Sequence, residues 1–177
     1  MTEALQTKRA EINDMLVVSL QGDITEDSHI EGLKENLKPI VVFDLKEVKR
    51  INSYGIRQWI NVMKEIHSKV RQIVFHRCPS VMVEQFNMIN NFGGGGIVYS
   101  VYLPYYCEKC GKSDTKLYSL PGGATPEEMP TLPTYPCAHC SQALTFNDIE
   151  DEYFYFLQHQ KTRSVPMNVV EHLAKQS

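Results

Sequence analysis

Apolar and polar positions follow two rhythms in the first half of the chain, and together they predict strands followed by helices. The apolar run Ile40–Leu45 predicts a buried strand, and a charged connector follows it. From Ser53 onward, apolar residues recur every three or four positions, which predicts a helix over residues 53–70 with one buried face. A serine is therefore expected at the start of a helix, shortly after a core strand.

The same patterns predict the other elements of an α/β domain over residues 1–104. Strands are predicted at 10–13, 15–20, 72–75 and 97–103, with Gly22 and Asp23 ending the second of them. Helices are predicted from residues 25–28 through Leu37, and from Pro79 through Ile89. Because strands alternate with helices, we expect a mixed, partly parallel β-sheet with helices packed on one face.

The texture changes after Tyr106, where turn-forming residues become frequent. Two Cys-x-x-Cys pairs bracket a proline-rich segment, and the candidate ligands are Cys107, Cys110, Cys137 and Cys140. Two thiolates at this spacing can point into one tetrahedral site, and two such turns complete a four-sulfur Zn²⁺ shell. Gly111 follows the first pair, where the turn commonly needs a positive φ. The pattern resembles a small zinc ribbon over residues 105–146, followed by a helical segment over 147–177.

Four sulfur ligands favour a structural zinc over a catalytic one, because they leave no coordination position open. Disulfides or a redox pair remain the alternative for these cysteines. Cys78, the fifth cysteine, is interpreted as a small semi-buried residue.

Composition and charge narrow the classes of function. The 177 residues carry a net charge of −3, which gives no general signal for nucleic acid or an anionic membrane. No apolar run approaches the roughly 20 residues that span a bilayer, and the polar N-terminus lacks a signal peptide's apolar segment. We therefore predict a cytoplasmic protein, in which metal or free thiols are more usual than disulfides. Since no catalytic triad or paired-carboxylate arrangement is visible, we predict that it is not an enzyme.

Residues 9–104 resemble a STAS domain, the family of sulfate transporters and bacterial anti-sigma factor antagonists. The resemblance is carried by Val17–Ile24, by the strand Ile40–Leu45, by Ile51–Ile60, and by Gln72–Phe75 with the helix after Pro79. It implies the fold given above and a non-enzymatic role in signal transduction and transcription regulation. The family pattern at the helix is Asp-Ser-Ser/Thr-Gly plus an aliphatic residue. Here it reads Asn52-Ser53-Tyr54-Gly55-Ile56, so asparagine replaces aspartate and tyrosine replaces a small hydroxyl residue.

The resemblance implies partner switching. Ser53 matches the hydroxyl that a partner kinase phosphorylates in antagonists of this family, and the implied partner is an anti-sigma factor or a switch kinase of the GHKL type. The implied partner-binding residues are Gly22, Asp23, Thr25, Asn52, Ser53, Tyr54, Gly55 and Arg57. A phosphoryl group adds about −1.5 to −2 charges, which a helix N-terminus tolerates and an acidic or tightly packed partner does not.

Several alternatives stay open. Asn52 or Ser53 could simply cap the helix, or Ser53 could contact a small ligand. The runner-up function is a zinc-ribbon regulator associated with nucleic acid, in which tyrosines stack on bases beside lysines; its candidates are Tyr99, Tyr102, Tyr105 and Tyr106 with Lys109, Lys112 and Lys116. The run Gly93–Gly96 is interpreted as a flexible connector, because no Lys-Ser/Thr follows it as in a phosphate loop. The oligomeric state is left open, with a homodimer as one option.

Overall fold

The computed structural model describes residues 3–120, 131–160 and 164–175. Much of the predicted proline-rich loop, residues 121–130, lies outside the described residues. The strands are β1 (Gln6–Ile12), β2 (Met15–Ile24), β3 (Ile40–Ile51), β4 (Gln72–His76), β5 (Ile97–Val98), β6 (Ser100–Tyr106), β7 (Ser113–Ser119) and β8 (Thr145–Phe146). The α-helices are α1 (Ser53–His67), α2 (Ser80–Met88), α3 (Glu150–Tyr153) and α4 (Met167–Ala174), and 3-10 helices cover Ile30–Lys34 and Tyr155–His159.

The first sheet contains five strands in the order β1-β2-β3-β4-β5. Strands β1 and β2 form an antiparallel hairpin, whereas β2 to β5 pair in parallel. The hairpin turn places Asn13 at a φ of 55°, a left-handed conformation that asparagine tolerates. Parallel neighbours require crossover connections, and α1 and α2 provide two of them. The predicted α/β class with a mixed sheet is confirmed.

Strands β2 and β3 are longer than the sequence patterns predict. The expected charged connector at residues 46–51 is part of β3, and β2 continues past Gly22 and Asp23 to Ile24. The two extensions pair with each other, for example Gly22 with Val48 and Ile24 with Ile51. Val48 is buried between exposed lysine and glutamate residues, so this stretch is a strand with one solvated face. Because most residues in this stretch are charged, its buried position is not visible as a strand pattern in the sequence.

The helix predicted through Leu37 is also different. It is a short 3-10 helix over Ile30–Lys34, and Asn36 lies just beyond it at a φ of 46°. A left-handed residue cannot continue a right-handed helix, so the element ends there.

One face of the first sheet packs against α1 and α2 around a cluster of aromatic rings. Trp59 on α1 lies 5.7 Å from Phe43 on β3 in an edge-to-face contact and 5.9 Å from Phe92 in a stacked one, measured between ring centroids. Trp59 and Phe43 are fully buried. This core fixes α1 on the sheet and, with it, the position of Ser53.

The C-terminal helix α4 covers the opposite face of the same sheet. Its residues Val169 and Leu173 pack on Val17, Val42 and Val74. These three strand residues alternate with the ones that face α1, so they point away from it. The sequence predicts this helical tail, but it predicts helices on one face of the sheet only. Nothing local in the sequence specifies which face a distant helix covers.

A second, three-stranded sheet has the order β7-β6-β8 and carries the cysteine pairs. It joins the first sheet directly, because Cys78, two residues after β4, forms a parallel bridge with Val101 on β6. The strand β6 runs across the predicted boundary between residues 104 and 105, and the proposed division into domains stays a prediction. Helix α3 and the second 3-10 helix pack near α2, where Asn87 accepts a hydrogen bond from the backbone N–H of Phe156 at 2.8 Å.

Candidate docking surface and metal centre

The start of α1 is capped by Asn52. Its side-chain oxygen accepts hydrogen bonds from the backbone N–H groups of Tyr54 at 3.1 Å and Gly55 at 2.8 Å. Asn52 has an extended backbone, with φ −97° and ψ 173°, as an N-cap residue should. Of the two residues that the sequence allowed as caps, Asn52 fills the role.

Ser53 is the first residue of α1, and its side chain is exposed. Because Asn52 already satisfies the nearby backbone donors, the Ser53 hydroxyl is not required for capping. It lies at the positive end of the helix dipole, where added negative charge is favourable. Arg57 follows one turn later, and its guanidinium carbon lies 5.7 Å from the centre of the Tyr54 ring. Tyr54 is 54% exposed, which is unusual for a large aromatic residue.

Gly55 sets how closely the helix approaches the sheet. A Cβ atom at this position would lie 2.2 Å from the carbonyl oxygen of Ile24. No side chain fits in that space, and the obstructing atom is backbone that cannot move aside. The glycine therefore lets the first turn of α1 sit directly on the end of β2 and holds Ser53 beside the loop that follows β2.

Gly22, Asp23 and Thr25 shape this surface from beneath, since all three are buried. The Asp23 carboxylate accepts hydrogen bonds from Arg50 at 2.9 and 3.2 Å and from the backbone N–H of Glu3 at 3.1 Å. The bond from Arg50 is the main reason that the pKa of Asp23 is lowered. A direct contact of these residues with a partner stays a prediction; in the folded chain they hold the β2 end in place.

Glu26 belongs to this surface and was missed in the sequence. The side-chain amide of Asn52 donates a hydrogen bond to its carboxylate, and this bond lowers the pKa of Glu26. The contact joins two loops that are distant in sequence, so no local pattern signals it. The exposed residues of the candidate docking surface are thus Glu26, Asn52, Ser53, Tyr54 and Arg57.

The four predicted cysteine ligands are brought together, which confirms the cluster. Their sulfur atoms all lie within 4.8 Å of one another. The Sγ atoms of Cys107 and Cys140 are 3.4 Å apart, and those of Cys110 and Cys137 are 3.6 Å apart. A tetrahedral zinc with Zn–S bonds of about 2.3 Å requires sulfurs about 3.8 Å apart, so the donor set fits Zn²⁺.

The two cysteine turns share one backbone design. The N–H of Gly111 donates to the carbonyl of Cys107 at 2.9 Å, and the N–H of Ser141 donates to the carbonyl of Cys137 at 2.9 Å. Gly111 and Ser141 both adopt a left-handed φ, 69° and 59° respectively. The backbone N–H of Cys110 is the main cause that lowers the pKa of Cys107 to about 6.

The residues proposed for base stacking do not form an exposed platform. Tyr99 and Tyr105 are buried at 5% and 2% exposure, and Tyr105 donates a hydrogen bond to the carbonyl of Pro133 at 2.8 Å. Lys116 pairs with Asp114 at 2.7 Å. Of the four tyrosines, Tyr106 is the most exposed, at 37%. These placements give the nucleic-acid alternative little support.

Comparisons with known proteins give a limited match. No protein-family model and no curated protein match the chain. Among solved structures, an anti-sigma factor antagonist from Mycobacterium paratuberculosis is similar, with 19% identity and a TM-score of 0.32, over 41% of this chain and 68% of that chain. That protein is of the kind that the sequence resemblance names.

Across the residues that the structure describes, no helix is both long and apolar enough to cross a membrane.

Proposed function

We propose that this protein is a non-enzymatic cytoplasmic regulator that docks a partner protein through the surface around Ser53, with phosphorylation of Ser53 as the switch. The observation that supports the proposal is that Asn52, and not Ser53, caps the start of α1. Asn52 makes the capping hydrogen bonds, so the exposed Ser53 hydroxyl is free for modification. By the sequence resemblance, the partner is an anti-sigma factor or a switch kinase.

The surface has the composition of a small docking site. Tyr54 offers a large exposed ring and Arg57 a cation beside it, and tyrosine and arginine are enriched among residues that dominate binding energies. A phosphoryl group on Ser53 would add about −1.5 to −2 charges at this point. The helix N-terminus favours that charge, whereas a partner packed against Tyr54 would have to bury it. Binding is therefore switched without a change of fold.

We propose that the four cysteines hold a structural zinc ion. Cys107, Cys110, Cys137 and Cys140 supply four sulfurs at tetrahedral spacing, which leaves no position for a substrate. The ion would hold the two cysteine turns together and contribute folding free energy to the second sheet.

The switch is tested with Ser53→Asp and Ser53→Ala. The full-length chain is used to capture partners from its native cells, and bound proteins are identified by mass spectrometry. We expect an anti-sigma factor or GHKL-type kinase with wild type and Ser53→Ala, and at least a tenfold loss with Ser53→Asp. Asn61→Asp adds a charge on the exposed side of the same helix and should bind like wild type. Equal capture by Ser53→Asp and Ser53→Ala would contradict the switch.

A further inference from the structure

A cavity of about 410 Å³ lies on the side of the molecule formed by the last turns of α1, the glycine run Gly93–Gly96 and the second 3-10 helix. Its lining includes Lys64 and His67 from α1, and Phe156, His159 and Gln160 from the C-terminal half. The volume falls within the range of about 300–1,000 Å³ that is usual for small-molecule sites. The candidate docking surface lies at the opposite end of α1, so this cavity is separate from it.

The glycine run is a tightly packed wall of the cavity, which differs from the flexible connector that the sequence suggested. A Cβ at Gly94 would lie 2.7 Å from the carbonyl oxygen of Met63, and one at Gly96 would lie 2.7 Å from the Phe75 ring. Gly94 and Gly95 also have φ values of 60° and 84°. Side chains are excluded from this wall, so the backbone itself lines the cavity.

The charge of the lining has one sign. None of the described residues that line the cavity is acidic, whereas Lys64, His67 and His159 carry or can carry positive charge. Asn90 and Asn91 add neutral polar groups, and Phe86 and Phe156 provide apolar walls. A basic, partly aromatic cavity suits a ligand with a negatively charged head and an apolar body.

Gln160 closes one side of the cavity. Its side-chain oxygen accepts a hydrogen bond from the backbone N–H of Val98 at 2.8 Å, which fixes the orientation of the amide. The amide nitrogen is buried and has no hydrogen-bond partner among the described residues. Because this nitrogen is also closed to a water-sized molecule, it belongs to the wall of the cavity and does not itself contact a ligand.

We propose that this cavity binds a small organic oxyanion, a carboxylate or phosphate ester attached to a ring or short aliphatic group. The oxyanion is held by Lys64 and the two histidines, and the apolar part lies between Phe86 and Phe156. No step of chemistry is involved. The site would let a metabolite act on the same chain whose other end carries Ser53.

The proposal is tested by titrating the ¹⁵N-labelled full-length protein with phenyl phosphate, benzoate and benzyl alcohol. We expect saturable shifts of the Gly93–Gly96 amide signals with phenyl phosphate or benzoate, at least tenfold tighter than with benzyl alcohol. The stronger of the two anions identifies a phosphate ester or a carboxylate as the natural head group. Equal affinity for benzyl alcohol, or no shift at the glycine amides with either anion, would overturn the proposal.

Two variants sharpen the result. Gln160→Glu keeps an acceptor for the Val98 N–H and places a negative charge in the cavity wall, so it should weaken anion binding at least tenfold. Lys64→Gln should weaken binding severalfold, whereas Lys69→Gln, an exposed lysine outside the lining, should not. Should Gln160→Glu lose its fold by circular dichroism, the lysine pair decides. Wild-type affinity in Gln160→Glu, or equal affinities in the two lysine variants, would exclude this site.

Discussion

The two sheets of this molecule are stabilised in different ways. In the first sheet, β2, β4 and residues 40–45 of β3 are buried almost completely, and their side chains meet an aromatic cluster that includes Phe43, Trp59 and Phe75. In the second sheet, β7 has no fully buried residue and β8 is two residues long. Hydrophobic burial accounts for the first sheet and for β6, the central strand of the second, whereas β7 and β8 follow the two cysteine pairs along the chain. A single chain thus combines a region that can fold by its core with two outer strands that, with the zinc site proposed above, depend on a metal.

Removal of one cysteine ligand should have the largest effect, and this effect should be confined to the second sheet. With Cys137→Ser, or after chelation of the metal, we expect β7 and β8 to lose amide protection while β2 to β4 keep it. Structural zinc contributes about 10–16 kcal/mol in small zinc modules, so the loss within the second sheet should be close to complete. Hydrogen exchange followed by mass spectrometry gives the measurement.

The control for this prediction is Cys78→Ala. Cys78 is fully buried, and desolvation raises the pKa of its thiol well above the ordinary value, so it acts as an inert core residue. Its removal should cost about 1 kcal/mol without selective loss in the second sheet. If Cys137→Ser behaved in the same way as Cys78→Ala, the metal would not be what holds the second sheet.

The converse change is Trp59→Ala, which should destabilise the first sheet by about 3–5 kcal/mol because it leaves a large cavity. Tyr54 lies on the same helix, but its ring is exposed. Tyr54→Ala should therefore change the free energy of unfolding by no more than about 0.5 kcal/mol. Since Trp59 is the one tryptophan in the sequence, unfolding in urea should be followed by circular dichroism rather than fluorescence. A loss below about 1 kcal/mol for Trp59→Ala would mean that the aromatic cluster does not dominate this core.

The sequence was most informative where a local pattern carries the chemistry. The spacing of Cys107, Cys110, Cys137 and Cys140 predicts the cluster, because a Cys-x-x-Cys turn already directs two sulfurs to one side. The apolar run Ile40–Leu45 and the three-four spacing after Ser53 predict a core strand and the helix on it. The sequence allowed either Asn52 or Ser53 as the helix cap, and the hydrogen bonds in the structure identify Asn52.

Contacts between distant segments could not be predicted in the same way. The pairing of β2 with the charged end of β3, the bond from Asn52 to Glu26 and the covering of the sheet by α4 each join residues that lie far apart along the chain. The burial of Asp23 depends on Arg50, which sits on a neighbouring strand. No periodicity within one segment contains that information.

His76 allows a smaller, pH-dependent test of the first sheet. It is fully buried on β4, and its Nδ1 lies 2.7 Å from the hydroxyl of Ser100. Desolvation lowers its pKa from 6.5 to about 4, against an opposing effect of Asp44. The unfolded chain therefore binds a proton at a higher pH than the folded one. Stability should fall as the pH drops from about 6.5 towards 4, by about 3 kcal/mol at the acid end.

The measurement is the urea midpoint of wild type and His76→Asn across this pH range. Acid release of the metal affects both proteins, so the difference between them isolates His76. We expect wild type to lose more stability than His76→Asn as the pH falls. His29→Asn, which replaces an exposed histidine, should keep the wild-type slope. Parallel curves of urea midpoint against pH for wild type and His76→Asn would show that protonation of His76 does not contribute to the loss of stability in acid.

The smallest expected effect is a difference in stability between substitutions in the two cysteine turns. Both turns need a left-handed residue after their second cysteine, and the first uses Gly111 whereas the second uses Ser141. A left-handed conformation costs a residue with a Cβ about 1 kcal/mol, so Gly111→Ser should destabilise the metal-bound protein by about that amount. Ser141→Gly relieves the same cost but makes the unfolded chain more flexible, so we expect a gain of only a few tenths of a kcal/mol. Thermal unfolding of the metal-loaded proteins would measure both shifts, and effects of the same sign would mean that φ at these positions does not govern the stability of the turns.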